Sequence, residues 1–137
     1  YSLVCNIFDI RAMEKLAQIK KTKLDKSHLS IICNDLSHLS EFTKPIDSAT
    51  FRFLKNRVPG PFTFILEANK NLPLAYKGKK TVGIRVPDHP IPKLIVEKHD
   101  HLVDIVIDSG YGDNVASTIV DLTSGEPEVL RQGKGEL

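Results

Sequence analysis

The sequence predicts an α/β domain, and three observations carry that reading. Short β-branched apolar runs alternate with stretches whose apolar residues recur at helical spacing. Proline, glycine and aspartate punctuate most changes from one pattern to the other. At 137 residues, 41% hydrophobic and 26% charged, the chain suits a single domain over residues 1–137 with a sizeable core.

Tyr1 to Ile7 reads as a strand with no turn before it, so the chain starts abruptly. Asp9 can cap a helix from Ile10 to Lys21, in which Ile10, Met13, Leu16, Ala17 and Ile19 form the apolar stripe. The helix exit, residues 20–28, holds four lysines and His28. Cations there complement the negative end of the helix, and a phosphate or carboxylate site is the alternative use. Leu29 to Cys33 is a second strand, and Asp35 to Glu41 combines a cap with a short amphipathic turn. A further helix runs from Ser48 to Arg57 and stops at Pro59-Gly60-Pro61, which leads into a strand over Phe62 to Leu66.

Thr81 to Arg85 is a short strand that delivers an arginine to its exit, followed by the turn Val86-Pro87-Asp88-His89-Pro90. On composition alone Arg85 reads first as a surface charge. Beyond it, Ile91 to Glu97 suits a short helix, Leu102 to Asp108 a strand, Ala116 to Leu122 another strand, and a last strand reaches Arg131 after a turn at Ser124 to Pro127. Asp104 and Asp108 share a strand face, which is more often solvated than catalytic. His99 and His101 lack a third ligand type at metal-binding spacing, so no metal site is expected. Repeats and glycine-rich phosphate loops of the Walker kind are absent.

Nineteen basic against seventeen acidic residues leave a net charge of +2, so any affinity for polyanions has to come from local clustering. Cys5 and Cys33 stand in apolar runs without paired spacing, as expected of reduced thiols. With no basic-then-apolar leader and no apolar run of membrane-spanning length, the expectation is a cytoplasmic protein without a membrane partner.

Five segments in order resemble the Sua5/YciO/YrdC family: Tyr1 to Cys5, Pro59 to Leu66, Thr81 to Pro90, Ser117 to Leu122, and Arg131-Gln132-Gly133. The helix exit and the Asp35 to Glu41 segment are most similar to the YciO branch. The resemblance implies a single YrdC-like domain, a twisted mixed parallel and antiparallel sheet flanked by helices, with a basic concave surface. It implies threonylcarbamoyl-AMP chemistry: threonine, bicarbonate and ATP, with magnesium, joined for the threonylcarbamoyl modification of adenosine in tRNA, or an enzyme acting on threonylcarbamoyl-AMP. Binding of double-stranded RNA or tRNA without chemistry is the alternative it carries.

By the same resemblance Arg85, Pro87, Ser117, Thr118 and Arg131 hold the nucleotide, ATP or AMP. Tyr1, Lys20, Lys26, Pro59, Gly60 and Thr63 line the substrate pocket. Gathering a triphosphate and carboxylates calls for fixed cations and backbone donors, and arginine's planar fork suits phosphate. Two departures stand out. Lys20-Lys21-Thr22 puts threonine where catalytic members carry the arginine of Lys-x-Arg, and nothing between Glu97 and Lys98 matches the family's Ser-Thr-Ser type stretch. That stretch and the start of the protein are expected to be missing from this sequence.

Overall fold

One mixed sheet organises the computed structural model, which describes residues 3–92, 94 and 114–137. Its strands are β1 (Ser30–Ile32), β2 (Phe62–Glu67), β3 (Thr81–Arg85), β4 (Thr118–Asp121) and β5 (Glu128–Arg131), in the spatial order β1-β3-β2-β4-β5. β3 pairs with β1 in parallel and with β2 antiparallel, β4 runs parallel to β2, and β5 closes the far side antiparallel to β4. It follows that β1, β3 and β5 point one way and β2 and β4 the other. One end of the sheet therefore collects the C-terminal ends of β1, β3 and β5 together with the N-terminal ends of β2 and β4.

The strand period of two sorts side chains onto two different faces. Ile31, Phe62, Phe64, Leu66, Val82, Ile84 and Val120 are buried and share one core cluster with Met13, Leu39, Phe42 and Leu54 from the helices. Phe64, 1% exposed, sits at its centre, stacked on Phe62 at 5.6 Å and edge-on to Phe53 at 6.3 Å. Burying one such ring contributes roughly 1.5–3 kcal/mol, so this face holds the sheet to its helices. The opposite face carries Ile32, Ile65, Gly83, Arg85 and Ile119, all only half-buried.

The helices are α1 (Ile10–Ile19), α2 (Leu39–Phe42) and α3 (Ser48–Lys55). Asp9 accepts from the amides of Arg11 and Ala12 at 2.9 and 3.1 Å, as its position before the apolar stripe predicts. Asp47 does the same for α3 through Ala49 and Thr50. Lys20 caps the end of α1, so the helix stops two residues before the expected Lys21. Lys21 follows in the left-handed region at φ 54, and the Lys21 and Thr22 amides return to the carbonyls of Gln18 and Ala17.

Other expectations shift more. Leu3 to Asn6 has no regular secondary structure, with Leu3 and Val4 exposed: an apolar β-branched run becomes a strand only when a neighbour accepts its backbone hydrogen bonds. α3 ends at Lys55 instead of Arg57, and Ser117 precedes β4 instead of lying within its strand. The strand over Leu102 to Asp108, the Asp104 and Asp108 pair, His99, His101 and most of the Ile91 to Glu97 helix fall outside the described residues. Cys33 is buried and Cys5 half-buried, both as free thiols. Burial, with Glu41 and Asp35 nearby, pushes the Cys33 thiol up to about 12, which makes it a poor nucleophile.

Candidate functional site

Strand directions alone bring most of the nominated residues to one end of the sheet. Arg85 closes β3 with Pro87 just beyond, Pro59 and Gly60 precede β2, Thr63 is its second residue, Ser117 precedes β4 and Thr118 opens it, and Arg131 closes β5. Backbone hydrogen bonds then fix the loops against each other. The Cys33 amide donates to the Arg85 carbonyl at 2.8 Å, and the Gly60 amide to the Val86 carbonyl at 2.9 Å. A side chain at position 60 would put its Cβ 2.6 Å from the Arg57 carbonyl oxygen, so glycine is required for the Pro-Gly-Pro loop to close on the Arg85 turn.

Arg85 is half-buried, and its Nε is enclosed without a hydrogen-bond partner. Burial lowers its pKa, and the like charge of Arg131 lowers it further. The ion pairs His38–Glu41 and Lys44–Glu67 lie elsewhere and involve neither arginine. A partly desolvated guanidinium with an unused donor and a second cation nearby is an arrangement that an anion would satisfy.

At the same end of the sheet the Thr63 and Ser117 hydroxyls are 2.9 Å apart. Arg131 reaches back to Ser117, its Nε and Nη2 donating to the carbonyl at 3.2 and 2.8 Å and Nη2 lying 3.4 Å from the hydroxyl. Thr118 differs from its neighbour. It is fully buried on the core side, and its hydroxyl donates to the Gly135 carbonyl at 2.6 Å while accepting from the Gly133 amide at 3.0 Å. That hydroxyl is committed to holding the C-terminal segment and presents nothing to a ligand.

The sequence signature of the Sua5/YciO/YrdC family, described as Telomere recombination, matches residues 1–103. The chain belongs to this family. YciO of Escherichia coli K12 is 32% identical, over all of this chain and 80% of its own length, and an uncharacterized Haemophilus influenzae protein is 34% identical over 98% and 79%. The crystal structure of E. coli YciO superposes with a TM-score of 0.79 at 31% identity, covering 96% of this chain and 78% of that one. A threonylcarbamoyl-AMP synthase of Coxiella burnetii is 32% identical over 72% of this chain, which spans only 53% of the synthase. The P. abyssi Sua5 structure, complexed with L-threonine, shares the fold at a TM-score of 0.79 and 24% identity.

Not every residue nominated by the family resemblance joins the site. Lys20 and Lys26 are exposed in the connection from α1 to β1, on the side where β1 starts, whereas Arg85 stands where β3 ends. Because β1 and β3 are parallel, the two lysines and Arg85 belong to opposite ends of the sheet. Thr22, in place of the family arginine, is in the same connection as the lysines. Tyr1 lies outside the described residues. Pro59 is exposed on its loop, next to the enclosed Gly60.

Other members were not read from the sequence. Gln132 donates to the carbonyls of Gly133 and Gly135 and ties the C-terminal segment to itself. Lys77, Lys79 and Lys80 join the first lysine group, since the Lys79 ammonium donates to the Ser27 carbonyl and the Tyr76 hydroxyl to that of Leu29 at 3.4 Å. Some fifty residues separate the two lysine groups, and these bonds together with the parallel β1–β3 pairing bring them to one end.

Proposed function

We propose that this chain binds an adenine nucleotide on the half-buried face of the sheet and works in threonylcarbamoyl-AMP chemistry, either making the adenylate or breaking it down. The observation that carries the proposal is the half-buried Arg85, its Nε enclosed and without a hydrogen-bond partner, at the end of the sheet that also holds the Thr63 and Ser117 hydroxyl pair. Family membership and the synthases among its relatives support the choice of chemistry. In the synthetic direction the threonine amine takes up carbon dioxide from bicarbonate, and the resulting carbamate oxygen displaces pyrophosphate from the α-phosphorus of ATP. Arg85 would neutralise charge on the phosphate there, and the one O–H that the hydroxyl pair's mutual bond leaves free would donate to a phosphate oxygen. Among the described residues no group of three His, Cys, Asp or Glu side chains is placed to hold a metal. A magnesium ion would accompany the triphosphate, as magnesium usually does through substrate phosphates, and no step is assigned to it.

Incubating the protein with ATP, threonine and bicarbonate while following pyrophosphate, and separately supplying threonylcarbamoyl-AMP and following its breakdown, tests both directions. Turnover in one assay is expected; silence in both would overturn the enzymatic reading. For the nucleotide site, Arg85→Ala should weaken AMP binding about tenfold or more by calorimetry, the usual size of a lost charge-assisted hydrogen bond. Unchanged affinity would remove Arg85 from that role.

A second reading rests on a different observation. Lys20, Lys21, Lys23, Lys26, Lys77, Lys79 and Lys80 gather at the other end of the sheet, with Asp25 the one acidic residue in those two segments. Since the whole chain carries only +2, its positive charge is concentrated there, as suits the phosphate backbone of tRNA or double-stranded RNA. Binding of a short RNA duplex should fall steeply with salt, and Lys77→Glu with Lys80→Glu should flatten that slope. A slope that the double variant leaves intact would reject RNA contact at this end.

A further inference from the structure

The two arginines at the end of the sheet look alike in sequence and differ in what their guanidinium groups do. The Arg85 Nε is closed off and makes no hydrogen bond. Arg131 spends Nε and Nη2 together on one acceptor, the Ser117 carbonyl, in a two-point contact that fixes the peptide's orientation as well as its distance. The same stretch of backbone is gripped from the other side. The Lys134 amide donates to the Ala116 carbonyl at 2.9 Å, and a Cβ at position 133 would stand only 2.2 Å from the Ala116 oxygen and 2.5 Å from the Ser117 carbonyl carbon. The Ser117 peptide is thus clamped between the Arg131 fork and the Gly133 backbone, and its hydroxyl is what meets Thr63 at 2.9 Å.

We infer that Arg131 is a positioning residue: it holds the Ser117 carbonyl and thereby sets the Ser117 hydroxyl against that of Thr63, at the end of the sheet where Arg85 closes β3. This rests on the nucleotide reading above for the identity of the ligand. β2, which carries Thr63, lies between β3 with Arg85 and β4 beside Ser117. The charge of Arg131 still adds to the local field, as its effect on Arg85 shows. Its hydrogen bonds, however, are directed at the protein.

A double-mutant cycle separates the two roles, with AMP and inorganic pyrophosphate as calorimetric probes. Arg131→Ala and Ser117→Ala should each weaken binding about tenfold, and the pair together should be less than about twofold weaker than either alone, because one effect passes through the other. Arg131→Lys keeps the charge but loses the fork, and it should stay close to Arg131→Ala. Losses that multiply in the double variant, or full recovery by lysine, would overturn the positioning role in favour of direct ligand contact or of charge alone. Side-chain NMR of the free protein gives an independent check: the Arg131 Nε–H should be protected from exchange, and Arg131→Ala should shift the Ser117 and Thr63 resonances. An Nε–H exchanging as in a free side chain would remove the clamp whatever binds. If the wild-type chain takes up neither probe, the nucleotide reading falls and the clamp is judged on the NMR result.

Discussion

The two ends of the sheet both carry cations, and these are held in opposite ways. At one, Arg85 and Arg131 are tied in by backbone contacts, half-buried in the first case and bonded to a carbonyl in the second. At the other, Lys20, Lys21, Lys23, Lys26, Lys77 and Lys80 stand exposed on flexible stems, and only Lys79 is drawn onto the protein. A fixed and partly desolvated cation selects one anionic group in one place, because it has already lost much of its hydration and rotamer freedom. Mobile, hydrated ammonium groups follow any polyanion and discriminate little. The contrast therefore matches a small-ligand site at the arginine end and, if RNA is bound, a backbone contact at the lysine end.

The hardest blow to the arginine end alone is Gly133→Ala. The added carbon meets backbone at 2.2 Å, and backbone cannot swing aside as a side-chain tip does. A loss of about 1–3 kcal/mol in urea denaturation is expected, together with weakened nucleotide binding. The lysine end should keep its salt-dependent behaviour when compared under conditions where the variant is folded. Wild-type stability in this variant would mean that the C-terminal segment is not packed on Ser117 as described.

Much of this organisation was legible in the sequence, and its limits are instructive. Asp9 before an apolar stripe announces a capped helix, and the β-branched run ending at Arg85 announces a strand with a charge at its exit, because both are local patterns. The order β1-β3-β2-β4-β5 is not local. It sets Lys20 and Lys26, which the family resemblance assigns to the substrate pocket, on the side where β1 starts, and Arg85, assigned to the nucleotide, where β3 ends. The hold of Arg131 on Ser117 is a side chain meeting a carbonyl fourteen residues away, and no residue pattern encodes a bond to backbone. Tyr1 to Ile7 fails for the converse reason, since its composition suits a strand and its partner cannot be read from composition.

The next test trades function against stability. Arg85 combines an enclosed, unpaired Nε with a like charge nearby, so the folded chain carries a group that water would solvate better. Arg85→Met keeps the length and removes the charge. It should leave stability unchanged or raise it by about 1 kcal/mol while weakening AMP binding, since an apolar replacement for an uncompensated buried charge is commonly tolerated or favourable. A clear loss of stability would show that Arg85 is instead a structural member of the fold, and the contrast between the two ends would lose its basis.

The smallest effect sharpens the lysine end. Lys21 occupies the left-handed position after α1 at φ 54, where the returning bonds from the Lys21 and Thr22 amides complete a helix stop that usually takes glycine. A β-carbon is disfavoured there, and Lys21→Gly should stabilise the fold by about 0.5–1 kcal/mol. The same change removes one of the seven clustered lysines. If that end contacts an RNA backbone, the variant should melt higher and bind duplex RNA more weakly, with the logarithmic salt slope reduced by about one contact's worth. A more stable variant with unchanged RNA binding would make Lys21 a helix-stop residue whose charge is incidental, and would shift the lysine end's function onto the remaining six.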